Sequence, residues 1–180
     1  RIGTKRYFVK TTDPQAEAFL DHPQRIELLH NAAAIRNSCE HPTLPELHNI
    51  VTSDHGPMLV YDWVDGELLG YQREQPDSAL QRFRRLPVDT SLAALDSIYD
   101  LHRILAEVGW IAVDLYDGSI IYDFDRHHAH LVDLDSYHQG PFTNTMGRMF
   151  GSSRFMAPEE FELGAKIDER TTVFTLGRVA

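Results

Sequence analysis

At 180 residues and 42% hydrophobic, with nine Phe, the chain can bury the core of one domain or of two tightly joined lobes, which excludes wholesale disorder. A formal net charge of −10 argues against non-specific nucleic-acid binding, which Lys and Arg drive by neutralising phosphates, but leaves room for a nucleotide served by one Lys in a cleft. Cys39 is the single cysteine and no apolar run approaches the roughly 18 residues of a membrane span, so no disulfide and no membrane are expected and the cytoplasm is the default; Arg1 in place of Met leaves a leader open.

Residues 6–10 form a short predicted strand of aromatic and β-branched residues ending in Lys10, followed by a turn over 11–14. The pattern over 15–37 predicts a helix, with Ala18, Phe19, Ile26, Leu29, Ala33 and Ile35 facing inward and His22-Pro23 interrupting it. Two strands are expected at 47–52 and 57–63, joined by the turn Ser53-Asp54-His55-Gly56. Residues 71–87 are polar and Arg-rich and read as a mobile connector or an exposed helix. The clearest helix covers 91–107, with Leu92, Leu95, Ile98, Leu101 and Leu105 at three- and four-residue intervals, ended by Gly109. Strands at 120–123 and 130–133 make a hairpin, and a loop rich in Gly, Asn and Thr runs on to Gly151.

Phosphoryl transfer asks a protein mainly for positioning and charge. It needs a cation on the triphosphate, carboxylates for Mg²⁺, and a carboxylate that orients the attacking hydroxyl. Tyr7-Phe8-Val9-Lys10 ends a strand in a cation, and Glu27 lies further on inside the predicted helix, with Glu17 a competitor nearer the strand end. Met58-Leu59-Val60-Tyr61-Asp62-Trp63-Val64-Asp65-Gly66-Glu67 is an apolar strand running into a turn. Ala112-Val113-Asp114-Leu115-Tyr116-Asp117-Gly118-Ser119 sets a carboxylate ahead of another apolar strand, and Leu131-Val132 leads into Asp133-Leu134-Asp135. Ala157-Pro158-Glu159 and Thr172-Val173-Phe174-Thr175-Leu176-Gly177 complete the series.

In this order the segments resemble the protein-kinase-like superfamily, in a divergent serine/threonine form of bacterial type. The resemblance implies an α+β, bilobal fold, with an N-lobe over residues 1–66 and a C-lobe over 67–180. It also implies truncation at both ends, since too few residues precede Lys10 for a glycine-rich loop and further helices would come after Ala180. ATP and Mg²⁺ are the implied cofactors. Lys10 would hold phosphates and Glu27 would position Lys10. Tyr61 would border the back of the pocket, the backbones of Asp62 and Val64 would meet adenine, and Glu67 would lie near the ribose. Asp114 would orient the acceptor hydroxyl or accept its proton, and Asp133 with Ser119 would bind the metal.

The chain departs from the pattern in named places. Ala112 and Val113 replace the catalytic-loop His and Arg, Ser119 the metal-binding Asn, Asp135 the Gly after the metal-binding Asp, and Thr172 the Asp that braces the loop. Asp135 stands beside Asp133 as an alternative metal ligand, and Asp117 or Asp135 could compensate for the short Ser119. Three readings remain: a kinase, with a protein Ser/Thr as first acceptor and a small molecule as second; a pseudokinase that binds nucleotide or a partner without transfer; and a structural α+β protein whose motifs are coincidental, which nucleotide-dependent stabilisation would sink. The cluster His127, His128 and His130 invites a metal, but adjacent strand residues point to opposite faces, which disfavours one.

Overall fold

The computed structural model describes residues 4–16 and 18–180. Strand β1 (Tyr7–Lys10) precedes helix α1 (His22–Ser38) and the hairpin β2 (Leu47–Ser53) and β3 (Gly56–Asp62). β3 lies in the middle of an antiparallel sheet ordered β1-β3-β2, and its register sets Lys10 opposite Leu59 and Phe8 opposite Tyr61. Gly56 takes φ +111°, and a Cβ there would come within 2.9 Å of Ile26, so the hairpin turn can sit close against α1 only as glycine. Leu29, Ala32 and Ala33 of α1 bury themselves on Leu59.

Helix α1 begins at His22, later than the pattern over 15–37 suggests. Asp21 accepts from the Gln24 amide at 2.9 Å, and Gln24 accepts in turn from the Asp21 amide at 3.0 Å. That reciprocal cap, with Pro23 tolerated only in the first turn, fixes the start. Ala18 and Phe19 are therefore not inner positions; Phe19 is 84% exposed. Glu17 lies outside the described residues.

Beyond β4 (Glu67–Leu68), the segment read as a mobile connector or an exposed helix carries a short helix that packs on the core. Ser78 caps the short helix α2 (Ala79–Phe83), whose Phe83 meets Tyr122 edge-on at 4.8 Å. Helix α3 (Val88–Glu107) buries Ile98, Leu101 and Leu105 at the expected spacing, whereas Leu92 is half exposed. Strand β5 (Trp110–Ile111) comes next, then the hairpin β6 (Ile120–Asp123) and β7 (His128–Leu131), which packs Tyr122, Ala129 and Leu131 onto α3. The hairpin's second strand thus starts two residues earlier than expected.

The stretch expected to be loop carries β8 (His138–Gln139), paired with β5, and β9 (Phe142–Thr143), paired with β10 (Lys166–Ile167). Helix α4 (Glu169–Val179) starts at the cap Asp168, whose side chain accepts from the Arg170 amide. Ile111, Val113, Met149, Met156 and Ile167 form a further core under this region. Among the described residues no helix is long and apolar enough to cross a membrane.

Candidate functional site

Four segments meet at one cleft. β1 delivers Lys10, whose amine lies 2.5 Å from Asp133 Oδ1 and 2.5 Å from Asp135 Oδ2. The turn after β7 brings the two aspartates to it. The Val132 amide donates to Ser119 O at 2.8 Å, Asp133 enters the left-handed region at φ +62°, and Leu134 plugs the core. Asp tolerates that conformation better than most residues, since its short side chain can bond locally. Asp133 is left open to solvent and Asp135 nearly buried.

Burial disfavours the charge of Lys10, yet Asp135 and Asp133 outweigh it and hold the amine above its ordinary range. Burial pushes the Asp135 carboxyl up, and Lys10 only partly offsets this.

Asp114 occupies a second left-handed position, φ +60°. Burial, then the negative charge of Asp133, pushes its carboxyl up to about 6, against an opposing bond from the Ser152 amide; Asp135 adds to the rise. Gly151 faces it at φ +134°, where a Cβ would lie 3.3 Å from Asp114 Oδ1. The loop before Asp114 is braced from α4: the Ala112 amide donates to Thr172 Oγ1 at 2.9 Å within the core. A hydroxyl thus supplies the acceptor that the sequence pattern expects from a carboxylate.

Beside these groups a cleft of about 590 Å³ opens, walled by Phe8, Tyr61, Trp63, Leu68, Ile121 and Leu131, with Lys10, Asp133 and Asp135 at one side. Tyr61, Asp62 and Val64 all border it. The Asp62 amide is spent on Glu46 O at 2.9 Å, whereas among the described residues no hydrogen bond engages the Val64 backbone. A free N–H and C=O beside an apolar slot suit a planar heterocycle.

Three expected roles do not match the geometry, and a fourth residue is enclosed. Glu27 is exposed and forms no ion pair with Lys10, whose partners are Asp133 and Asp135. Glu67 does not line the cleft; it is exposed on β4 and pairs with Arg82. Asp117 is unavailable to a metal, since Arg154 holds both its oxygens, at 2.8 and 2.9 Å. Ser119 is 2% exposed, outside the cleft lining, and its Oγ has no partner among the described residues.

Ala32, Ile35 and Arg36 of α1 line the cleft, and Asn31 of the same helix bonds the segment that carries the two aspartates. Its Nδ2 donates to Asp135 O and to Tyr137 O, each at 2.5 Å. Asn31 lies one helical turn beyond Glu27 on the same face. A lone amide among Leu28, Leu29, Ala32 and Ala33 is the signal the sequence offers for it.

Asp133 and Asp135 fit a Mg²⁺ ion, which takes one or two carboxylates and completes its shell with water and phosphate. Among the described residues no group of three His, Cys, Asp or Glu is arranged for a metal, so His127, His128 and His130 do not form such a centre. His128 instead bonds Pro42 O at 3.0 Å.

Comparison of the sequence with family models and with curated proteins gives no match. Among solved structures, the kinase PK-1 of the Cydia pomonella granulovirus superposes with a TM-score of 0.67 over 97% of this chain, at 18% identity. The chain spans 57% of that kinase's length. The likeness is one of fold: this chain has a mixed α+β, kinase-like fold. The neighbour is viral, and lends no weight to a bacterial type.

Proposed function

We propose that the chain carries the ATP site of a phosphotransferase of protein-kinase type, bilobal in arrangement, with residues 1–66 and 67–180 on either side of the cleft. One observation carries this reading. Lys10, Asp133 and Asp135, brought from distant parts of the sequence, meet at the edge of an apolar slot bordered by Val64, whose backbone has no hydrogen bond among the described residues.

The adenine would lie between Tyr61, Leu68 and Leu131, bonded to the Val64 backbone. The Lys10 amine would turn from the carboxylates to the phosphates. Asp133 and Asp135 would hold Mg²⁺, which would neutralise charge on the phosphates. Asp114 would orient an acceptor hydroxyl. As the hydroxyl oxygen bonds to the γ-phosphorus and the bridging P–O bond to the β-phosphate breaks, ADP leaves and Asp114 takes the hydroxyl proton. The acceptor is proposed to be a protein Ser or Thr. The Ala157-Pro158-Glu159 turn supports this, being fixed to α4 by the Thr171 hydroxyl on Glu159 at 2.6 Å and internally by Glu160 on the Ala157 amide.

One observation favours the rival reading, nucleotide binding without transfer. The enclosed Ser119 leaves the metal with carboxylates from one segment alone. Both readings are tested first by binding. ATP with Mg²⁺ is expected to raise the melting temperature of wild type and to leave Lys10→Met unmoved. No stabilisation of wild type by any purine nucleotide would overturn both.

A further inference from the structure

We propose that Asn31 is the positioning residue through which α1 sets the metal-binding segment, so that α1 acts on the site there and not through Glu27, which the sequence pattern assigns to positioning Lys10. The inference rests on the phosphotransferase reading for its consequence, but not for its geometry. A primary amide has two N–H bonds, and Asn31 places one on Asp135 O and one on Tyr137 O, both at 2.5 Å. The two carbonyls lie at the end of the turn that aims Asp133 and Asp135 at Lys10.

The far side of the turn is also held. The Tyr137 hydroxyl donates to His102 Nε2 at 2.8 Å, while His102 Nδ1–H donates to Ile98 O at 2.7 Å. Tyr137 therefore ties the segment to α3 by its side chain, and Asn31 ties it to α1 by its backbone. Sliding or rotating α1 by a fraction of a turn would withdraw both amide hydrogens from the same segment. Glu27, exposed one turn earlier, cannot transmit such a motion through Lys10. Coupling between α1 and the metal site thus runs through backbone carbonyls and not through the Lys10 ion pair.

Asn31→Leu keeps the size of the side chain and removes both donors. In the full chain, hydrogen exchange at amides 133–138 is expected to accelerate about ten-fold, while exchange in the first turns of α1 stays at the wild-type rate. The Mg²⁺ concentration that half-saturates ADP binding is expected to rise several-fold, with metal-free ADP affinity unchanged, a split that general destabilisation would not produce. Unchanged exchange at 133–138 would overturn the proposal. Should Asn31→Leu fail to fold, Asn31→Ser, too short to reach both carbonyls, gives the same exchange test. Failure of wild type to bind ADP at all would sink the phosphotransferase reading, and the exchange result would still decide the tether.

Discussion

The amine of Lys10 lies 2.5 Å from a carboxylate oxygen of Asp133, a residue 123 positions further along the chain. A contact of that sequence separation forms only when the first sheet and the β6–β7 hairpin have both folded and docked. The pair, with Asp135 as its third member, therefore reports on the assembled cleft.

Lys10→Met leaves Asp133 and Asp135 facing each other with no cation between them. The exposure of Asp133 weakens the penalty of a fully buried pair, so the expected loss is about 1–3 kcal/mol, read by urea unfolding at neutral pH. Adding Asp135→Asn to Lys10→Met should recover most of it. A double variant no more stable than the single one would contradict the charge argument.

Asp114, pushed up to about 6 from an ordinary 3.8, binds its proton more tightly in the folded chain than in the unfolded one. The stability it contributes is present below the unfolded value and is lost as pH rises through the folded value. Asp114→Asn should therefore match wild type near pH 4 and exceed it increasingly up to neutral pH. In the proposed reaction the carboxylate must be ionised, so transfer should fall as pH drops through about 6. Equal pH profiles of stability for variant and wild type would refute the shift.

Burial holds His102 down to about 4, well below its ordinary 6.5. Here the unfolded chain binds the extra proton, so the contribution is present above the unfolded value and is lost as pH falls from 6.5 toward 4. Tyr137→Phe removes the donor to Nε2 inside the core and is expected to cost about 1–3 kcal/mol at neutral pH. Acid titration of both proteins, monitored by circular dichroism, checks the direction and the size.

Thr172→Val removes the acceptor for the buried Ala112 amide while keeping side-chain volume. A cost of about 1–2 kcal/mol is expected, with transfer slowed and nucleotide affinity unchanged, because the brace acts on the loop carrying Asp114. Thr172→Asp should restore the acceptor and much of the rate; no recovery would mean that the bond is incidental.

That Lys10 and Asp133 belong to one cleft is legible from the order of the segments and from the apolar strands that end near each, and the structure brings the two side chains together. Leu101 and Leu105 are legible for a related reason, a helical period on an amphipathic face. The start of α1 escapes the apolar spacing of Ala18 and Phe19 because the local cap between Asp21 and Gln24 overrides it. β5, β8, β9 and β10 are two residues each, too short for any period to show. Charge and distance along the chain favour Glu27 as the partner of Lys10, but two nearer aspartates satisfy the amine. Asn31 carries no charge to draw notice, although a half-buried amide among alanines must find partners. Thr172 is a loss on chemical type alone, and the geometry shows that one lone pair at the right place suffices.

The most direct measurement incubates the full-length protein with Mg²⁺ and ATP labelled at the γ-phosphate, with and without a generic protein acceptor, beside Asp133→Asn. Label on the protein or on the acceptor, absent in the variant, is the predicted result. Wild type that ATP stabilises but that transfers no label to protein or to a panel of hydroxyl compounds would contradict catalysis and leave a nucleotide-binding module.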